Sequence, residues 1–381
     1  MTLLAGGPAI SVVLPVRNGG GYLDAALGSI ERQTFGDWEL IIVDDRSTDA
    51  TQGIIDQQVR RDPRVKACRT EGGGLIDALN TGVTKARAPL IARMDADDLA
   101  RPQRLERQLA AFEKRPDLLV LGGQVRHIDS EGGKLGTGRY PVGTVACRKQ
   151  SLFSSPLCHA AVMMRTDAVR HLSGYRRSYR HAEDYDLWLR VAEVGEIDNL
   201  HDTLLDYRIH PKSVTSLNLH TQSMNAALAR LAADARARGE GDPTPAPGWQ
   251  GETIEEVCKI HSMPVAVRRR AVLAYWRALV LSGGFRNLNI LLEFRERLSD
   301  LAEYAVEAGE LEAFASLTLR AAYLAGRAGS PLMSAQYLAW SISSAPGAAA
   351  RDIAGWLGAR LDKLSEELLH GLPGVQGTGE L

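Results

Sequence analysis

The chain has 381 residues, of which 45% are hydrophobic, and its formal net charge at pH 7 is −1. This length and composition are typical of a globular protein with two domains, and the near-neutral charge argues against duplex nucleic acid as a partner. No apolar run approaches the roughly 18 residues of a membrane span, and residues 1–7 lack the features of a secretory signal. We therefore expect a cytoplasmic protein, in which the scattered cysteines are reduced.

The first part of the chain alternates between apolar segments and segments with helical periodicity. The apolar segments are rich in β-branched residues and are followed by proline, glycine or aspartate, as buried strands often are. We predict strands at residues 10–14, 39–43, 65–68 and 90–94, and helices at residues 22–33, at residues ending near 59, and at residues 75–85. This alternation predicts a parallel sheet with right-handed crossovers.

Three aspartates follow the fourth predicted strand. Asp95, Asp97 and Asp98 lie between that strand and a predicted helix at residues 103–114, at the edge where open α/β sheets bind ligands. Because oxygen ligands suit hard divalent cations, the cluster indicates a metal site. On an extended segment Asp95 and Asp97 face the same side, whereas Asp98 faces away or caps the helix. The alternative is a solvated turn with a helix cap.

A second acidic pair, Asp44 and Asp45, follows the second predicted strand. The loop after the first strand, residues 18–21, does not fit a glycine-rich dinucleotide fingerprint. Carboxylates repel bare phosphate, so a phosphate ligand here needs a cation between, whereas a carboxylate accepts directly from a base N–H or a ribose hydroxyl. A metal-bound nucleotide would suit both acidic segments, the one after the second predicted strand and the one after the fourth.

Later strands are predicted at residues 118–122 and 160–164, separated by a glycine-rich stretch to Pro141 that indicates a hairpin or a loop. A helix then begins at or near Glu183 and Asp184. Its predicted buried face consists of Leu187, Trp188 and Val191. A carboxylate at a helix N-terminus is ordinarily a cap, and this alternative stays open.

The sequence changes character at residue 219, where helical sequence rich in alanine, leucine and arginine begins. Residues 239–248 are rich in glycine and proline, which is typical of a linker. We predict a first domain at residues 1–218, a helix and linker at 219–252, and a helical C-terminal domain at 253–381. The basic, aromatic segment 267–277 is either a peripheral membrane contact or a core helix with a solvated arginine face.

Six segments, taken together and in this order, resemble family 2 of the glycosyltransferases: Ser11 to Asn18, Gln33 to Phe35, Val43 to Asp49, Arg93 to Asp98, Pro102 to Gln108, and Glu183 to Trp188. The resemblance covers about residues 10–216 and does not extend to the helical C-terminal part. It implies an α/β GT-A-type domain with a mainly parallel sheet, here followed by an all-α C-terminal domain. It also implies a nucleotide-sugar donor, a divalent metal and an inverting transfer.

The resemblance assigns nucleotide-sugar-binding roles residue by residue. Pro15 and Asn18 match the first nucleotide-binding loop, and Asp45 matches the residue that accepts a hydrogen bond from the base. Many relatives carry Tyr or Phe where this chain has Arg17, which implies stacking by a guanidinium and puts uridine specificity in doubt. The same predicted set includes Asp44, Arg93 and Asp95.

The remaining assignments concern metal and catalysis. Asp97 matches the metal-binding aspartate of the family, and His210 falls where several relatives place a further ligand, although a lone histidine is usually a surface or core residue. Asp184 matches the general base, with Glu183 beside it. An inverting transfer needs such a base on one face of the sugar carbon and a Lewis acid at the departing diphosphate.

The expected activity is therefore metal-dependent transfer of a sugar from a nucleotide-sugar donor, UDP-linked by expectation, to a hydroxyl of a glycan or lipid-linked acceptor. Mn²⁺ or Mg²⁺ is the expected cofactor, and bacterial surface polysaccharide assembly is the expected setting, at the inner face of the membrane for a lipid-linked acceptor. One alternative is a catalytically silent relative with a binding role. Another is a nucleotidyltransferase, which would release pyrophosphate.

Overall fold

The computed structural model describes residues 7–152, 154–210 and 218–245, together with isolated residues between 272 and 337. The chain divides into two compact units, Met1–Met263 and Pro264–Leu381. The predicted all-α C-terminal domain falls almost entirely outside the described residues and stays a prediction. In the described part of the chain, no helix has the length and apolar character needed to cross a membrane.

The first four strands form the parallel half of a nine-stranded sheet. They are β1 (Ile10–Val16), β2 (Trp38–Asp44), β3 (Val65–Arg69) and β4 (Leu90–Arg93), in the spatial order β3-β2-β1-β4. Helices α1 (Leu23–Glu31), α2 (Thr51–Arg61) and α3 (Leu75–Lys85) connect them. Each predicted boundary in this half agrees with the structure to within two residues. Because the strands are parallel, the loops that follow β1, β2 and β4 meet at one edge.

Apolar side chains cover both faces of this half of the sheet, which explains its continuous runs of apolar residues. Along β1, Val12 and Leu14 pack in one apolar core with α1, whereas Val13 packs in the opposite core with α3. Successive strand residues point to opposite faces, so a strand buried on both sides is apolar at most positions, and the buried Ser11 and Glu39 are hydrogen-bonded to each other.

The second half of the sheet is mixed. It contains β5 (Leu99–Ala100), β6 (Leu118–Ile128), β7 (Lys134–Gly138), β8 (Met163–Arg165) and β9 (Glu196–Arg208). Strand β8 lies antiparallel between β4 and β6, β7 forms a hairpin with β6, and β9 pairs parallel with β6 and antiparallel with β5. The expectation of a mainly parallel sheet is therefore confirmed for the first half and wrong for the second.

Five helices complete the described part of the fold: α4 (Arg104–Lys114), α5 (Thr144–Ser151), α6 (Thr166–His171), α7 (Glu183–Val194) and α8 (Leu219–Ala237). Helix α7 buries Leu187, Trp188 and Val191 in the core shared with α3, as predicted. The short helices α5 and α6 were not predicted, because eight and six residues are too few for a clear helical period.

The segment 219–245, which we call the brace, packs against the loop that precedes α7. Arg176 donates from Nη1 to the Thr244 hydroxyl at 2.6 Å and pairs with Asp242 at 2.8 Å. Ser178 Oγ donates to the Pro245 carbonyl oxygen at 2.5 Å. Part of the predicted linker is thus hydrogen-bonded to the loop before α7, while the domain boundary itself stays a prediction.

We expect a chain ending at Arg238 to melt at a lower temperature than one ending at Met263, the end of the first unit. The shorter chain keeps α8 but loses the hydrogen bonds of Asp242, Thr244 and Pro245, each of which contributes about 1 kcal/mol. Thermal melting of the two purified fragments tests this expectation. Equal melting temperatures would mean that the contacts after Arg238 add nothing to the stability of the first unit.

Candidate active site

A cavity of about 1210 Å³ opens at the edge where the loops after β1, β2 and β4 meet. Eight of the predicted site residues line it: Pro15, Arg17, Asn18, Asp45, Asp95, Asp97, Glu183 and His210. The predicted residues Asp44, Arg93 and Asp184 are not among its lining residues. The structure therefore brings together side chains from both halves of the sheet.

The loop after β1 is fixed by hydrogen bonds to the loop after β2. Asn18, at a φ of 53°, donates from its backbone N–H to Ser47 Oγ at 2.9 Å, and its own Oδ1 accepts from the Thr48 N–H at 2.8 Å. A Cβ on Gly19 would lie 2.6 Å from a methyl group of Val16, so only glycine fits there without rearrangement. The floor of the cavity is consequently rigid before any ligand binds.

The two adjacent aspartates after β2 have different surroundings. Asp45 lines the cavity, where its Oδ1 accepts from Thr70 Oγ1 at 2.5 Å and its Oδ2 lies 3.7 Å from Nη1 of Arg17. Asp44 is buried behind it, accepts from the Ser47 N–H at 3.0 Å and pairs with Arg69 at 3.3 Å. Asp45 is thus available to a ligand, whereas Asp44 holds the loop.

The aspartates after β4 form one cluster, in which ligand oxygens of Asp95, Asp97 and Asp98 lie within 4.8 Å of one another. Nε2 of His210 lies 3.0 Å from Oδ2 of Asp97. Asp98 is buried, and its Oδ2 has no hydrogen-bond partner among the described residues. The expectation that Asp98 faces away or caps α4 is therefore wrong.

Burial raises the pKa of Asp98 well above its usual range, and the neighbouring Asp95 and Asp97 raise it further. Three crowded carboxylates with one unpartnered buried oxygen, and an imidazole beside them, fit a divalent cation such as Mn²⁺ or Mg²⁺. The residues present thus match the group that the resemblance implies.

Arg208, a residue that the sequence analysis missed, ties this cluster to the second half of the sheet. Its backbone N–H donates to Asp98 Oδ1 at 2.8 Å, and its Nε donates to the Asp97 carbonyl oxygen at 2.8 Å. Its guanidinium lies 4.6 Å from the ring centroid of Tyr22, which in turn stacks on His210 at 5.6 Å. Arg208 and His210 are two positions apart, and residues with this spacing on an extended segment point to the same side. This spacing relative to His210 was the signal in the sequence that could have identified Arg208.

Arg93 lies buried beneath the cluster. Its Nη1 donates to Asp95 Oδ2 at 2.5 Å, and the buried Arg104 donates to its carbonyl oxygen at 2.6 Å. Arg93 also opposes the increase in the pKa values of Glu183 and Asp184, so its charge acts on both acidic groups of the site. It therefore links the cluster after β4 to the carboxylates of α7.

Glu183 and Asp184 occupy the first turn of α7, but the N-cap position belongs to Ala182 and no side chain caps the helix. Glu183 is buried with Oε2 unpartnered among the described residues, and burial, followed by the charge of Asp184, raises its pKa to about 7. Burial raises the pKa of the half-buried Asp184 to about 6. Asp186, by contrast, is bound by Arg190 at 2.6 Å.

Comparison with known proteins decides the family. Residues 11–180 match the model of the glycosyl transferase family 2. The O-antigen biosynthesis glycosyltransferase WbnJ of Escherichia coli is 38% identical over 211 residues, which cover 54% of this chain and 81% of WbnJ. The chain is a family 2 glycosyltransferase. An uncharacterized glycosyltransferase of Haemophilus influenzae is 30% identical, over 58% of this chain and 71% of that protein.

The solved structure of Staphylococcus aureus TarS 1–349 in complex with UDP-GlcNAc resembles this glycosyltransferase with a TM-score of 0.56. The match covers 88% of this chain and 91% of that one, at 17% sequence identity. Similarity at this level establishes the fold, a GT-A-type mixed α/β sheet. The match to the family model and the identity with WbnJ confirm the family resemblance drawn from the motifs, and they support a glycosyltransferase over the nucleotidyltransferase alternative.

The glycosyltransferase cavity also has a basic wall that the motifs did not reveal. Arg177, Arg180 and His181, which together we call the basic wall, line the cavity just before α7. No pattern of spacing distinguishes Arg177 and Arg180 from Arg176, which lies in the same segment but does not line the cavity. Only the folded loop selects which of them face the cavity.

Proposed function

We propose that this glycosyltransferase moves a sugar from a UDP-linked donor to a hydroxyl of a glycan or lipid-linked acceptor, with a divalent cation and with inversion at the sugar carbon. The observation that carries the proposal is one cavity lined by Asp45, by the clustered Asp95 and Asp97, and by Glu183 of α7. These groups suit a base, a diphosphate with its metal, and a reacting hydroxyl. The complex of TarS with UDP-GlcNAc supports the choice of uridine.

The nucleoside would bind between the loops after β1 and β2. Oδ2 of Asp45 would accept an N–H of the base, because its other oxygen is already occupied by Thr70. The Arg17 side chain is 62% exposed, and its guanidinium, 3.7 Å from Asp45, would lie against the base. Pro15 and Asn18 line the same part of the cavity.

The cation would be held by Asp97, with Asp95 and His210 as further candidates, because ligand oxygens of Asp95 and Asp97 lie within 4.8 Å of each other and Nε2 of His210 lies 3.0 Å from Asp97. When bound there, it would supply electrostatic stabilisation of the departing diphosphate. Asp44 and Arg93 act from behind the cavity, Asp44 by holding the loop after β2 and Arg93 by holding Asp95.

Asp184 would be the general base, with Glu183 orienting the acceptor. The acceptor oxygen bonds to the anomeric carbon, the bond from that carbon to the phosphate oxygen breaks, the nucleoside diphosphate leaves, and the hydroxyl proton moves to Asp184. With a pKa of about 6, Asp184 is mostly ionised at neutral pH and still basic enough to accept that proton. Asp186 is less suited, because Arg190 occupies it.

We infer that the acceptor belongs to surface polysaccharide assembly, since the similar protein WbnJ acts in O-antigen biosynthesis. Such acceptors are hydroxyl-rich glycans or lipid-linked glycans. A lipid-linked acceptor would be met at the cytoplasmic face of the inner membrane, and a peripheral contact with that surface would serve the reaction.

A donor screen tests the proposal. Nucleoside diphosphate release is measured for UDP-, GDP-, dTDP- and ADP-linked sugars, each with Mn²⁺, with Mg²⁺ and with a chelator. We expect release from a UDP-sugar that requires a cation. Release from a GDP-sugar alone would overturn the assignment of uridine, and equal release in chelator would overturn the role of the metal.

A further inference from the structure

The two arginines of the basic wall have different partners. Nε of Arg177 donates to Asp77 Oδ1 at 2.6 Å, so its charge is already paired. The Arg180 side chain is exposed to the cavity, and within the described residues its guanidinium forms no hydrogen bond or ion pair. A guanidinium that faces a ligand cavity without a carboxylate partner is suited to bind an anion.

The backbone at Arg180 is fixed by its neighbours. The buried Asn225 of the brace donates from Nδ2 to the Arg180 carbonyl oxygen at 2.7 Å. The Ala182 N–H donates to the Tyr179 carbonyl oxygen at 2.8 Å, and the Tyr179 hydroxyl lies 2.9 Å from Thr244 Oγ1. His181, which lies between Arg180 and Ala182, adopts a φ of 70°, and a non-glycine residue keeps this conformation only when its surroundings impose it. The backbone that carries the Arg180 side chain is therefore fixed before a ligand arrives.

The charges of the cavity require a further cation. A divalent metal balances the charge of a donor diphosphate but leaves the carboxylate of Asp97 uncompensated, because Arg93 is already paired with Asp95. Arg17 lies beside Asp45, in the part of the cavity assigned to the base. In the described part of the lining, Arg180 is the arginine that is left without a carboxylate partner.

We propose that Arg180 binds the diphosphate of the nucleotide-sugar donor and stabilises it as it departs, an inference that rests on the proposed function. Arg180 lies three positions before Glu183, the first residue of α7, and both Arg180 and Glu183 line the cavity. The diphosphate would thus meet a cation on the side of the general base as well as at the metal.

The test compares Arg180→Gln with Arg177→Gln, its matched control, which removes the same charge from the same wall but from an arginine already paired with Asp77. Affinities for UDP and for uridine are measured by calorimetry with Mn²⁺, after thermal melting shows that both variants are folded. We expect Arg180→Gln to weaken UDP binding about 10-fold and to leave uridine binding unchanged, because only UDP carries the diphosphate. Arg177→Gln should change UDP binding by about twofold or less.

The outcomes separate this inference from the proposed function. If the wild-type protein binds none of UDP, GDP, dTDP and ADP, the proposed function fails and this inference with it. If it binds one of them and Arg180→Gln binds it equally well, only the inference is overturned, and Arg180 then serves another group, such as an anionic acceptor. Equal losses in both arginine variants would also overturn it, because they would indicate general charge rather than a contact.

Discussion

Asp184→Asn should lower sugar transfer by about 10²–10⁴-fold while leaving donor binding and the melting temperature nearly unchanged. Asparagine keeps the size and hydrogen bonding of the side chain but cannot take the acceptor proton. Ala182 holds the N-cap position, and asparagine is tolerated near helix N-termini about as well as aspartate. The substitution should therefore change the stability of the folded protein very little. Transfer at saturating donor, measured alongside thermal melting, checks both parts of the expectation.

Glu183→Gln is the control, since it changes the neighbouring carboxylate and should have the smaller effect on turnover.

For the wild-type protein, turnover should fall as the pH falls through about 6, because burial raises the pKa of Asp184 to about 6 and only its ionised form accepts a proton. Near-normal transfer by Asp184→Asn would move the base to Glu183 rather than to Asp186, which Arg190 already binds.

Asp97→Ala should remove the response of donor binding to metal and should reduce turnover by at least about 100-fold. Asp97 is the member of the aspartate cluster that His210 contacts, and its side chain lines the cavity, so its loss removes one carboxylate and that contact with the imidazole. Calorimetry of UDP binding, with and without chelator, gives the metal response directly.

Asp56→Ala provides the control for a lost carboxylate, because Asp56 lies on the exposed side of α2 and contacts Gln52. This variant should keep the full metal response. A metal response that survives in Asp97→Ala would assign the cation to Asp95 and Asp98 alone. Equal UDP affinity of the wild-type protein in both conditions would remove the cation from donor binding altogether.

The parts of the fold that were predictable depend on short stretches of sequence. Strand β1 is apolar at every position except Ser11, and one short loop separates it from helix α1, so the type and the boundaries of both elements could be inferred. The same holds for Asp95 and Asp97, whose spacing and position after a strand indicated a ligand site. Local pattern therefore sufficed for one half of the sheet and for the centre of the aspartate cluster.

The rest depends on contacts between distant residues. Asp98 accepts from the backbone of Arg208, 110 positions along the chain, and nothing near Asp98 in the sequence announces that partner. The antiparallel pairing of the three-residue β8 with β4 is likewise determined by tertiary contacts, since so short a strand has no recognisable hydrophobic period. Asp44 and Asp45 are adjacent and chemically alike, and only the folded loop distinguishes the one that faces the cavity.

The pairing of β9 with β5 also has a consequence for how the protein is made. The three aspartates of the cluster are translated first. Arg208 and His210, which contact Asp98 and Asp97, are translated more than a hundred residues later. A nascent chain that has been translated only as far as α7 holds every aspartate without the residues that arrange them. The site can therefore reach its described geometry only after β9 has been synthesised and has joined the sheet, which ties the onset of activity to the last described strand rather than to the first motif.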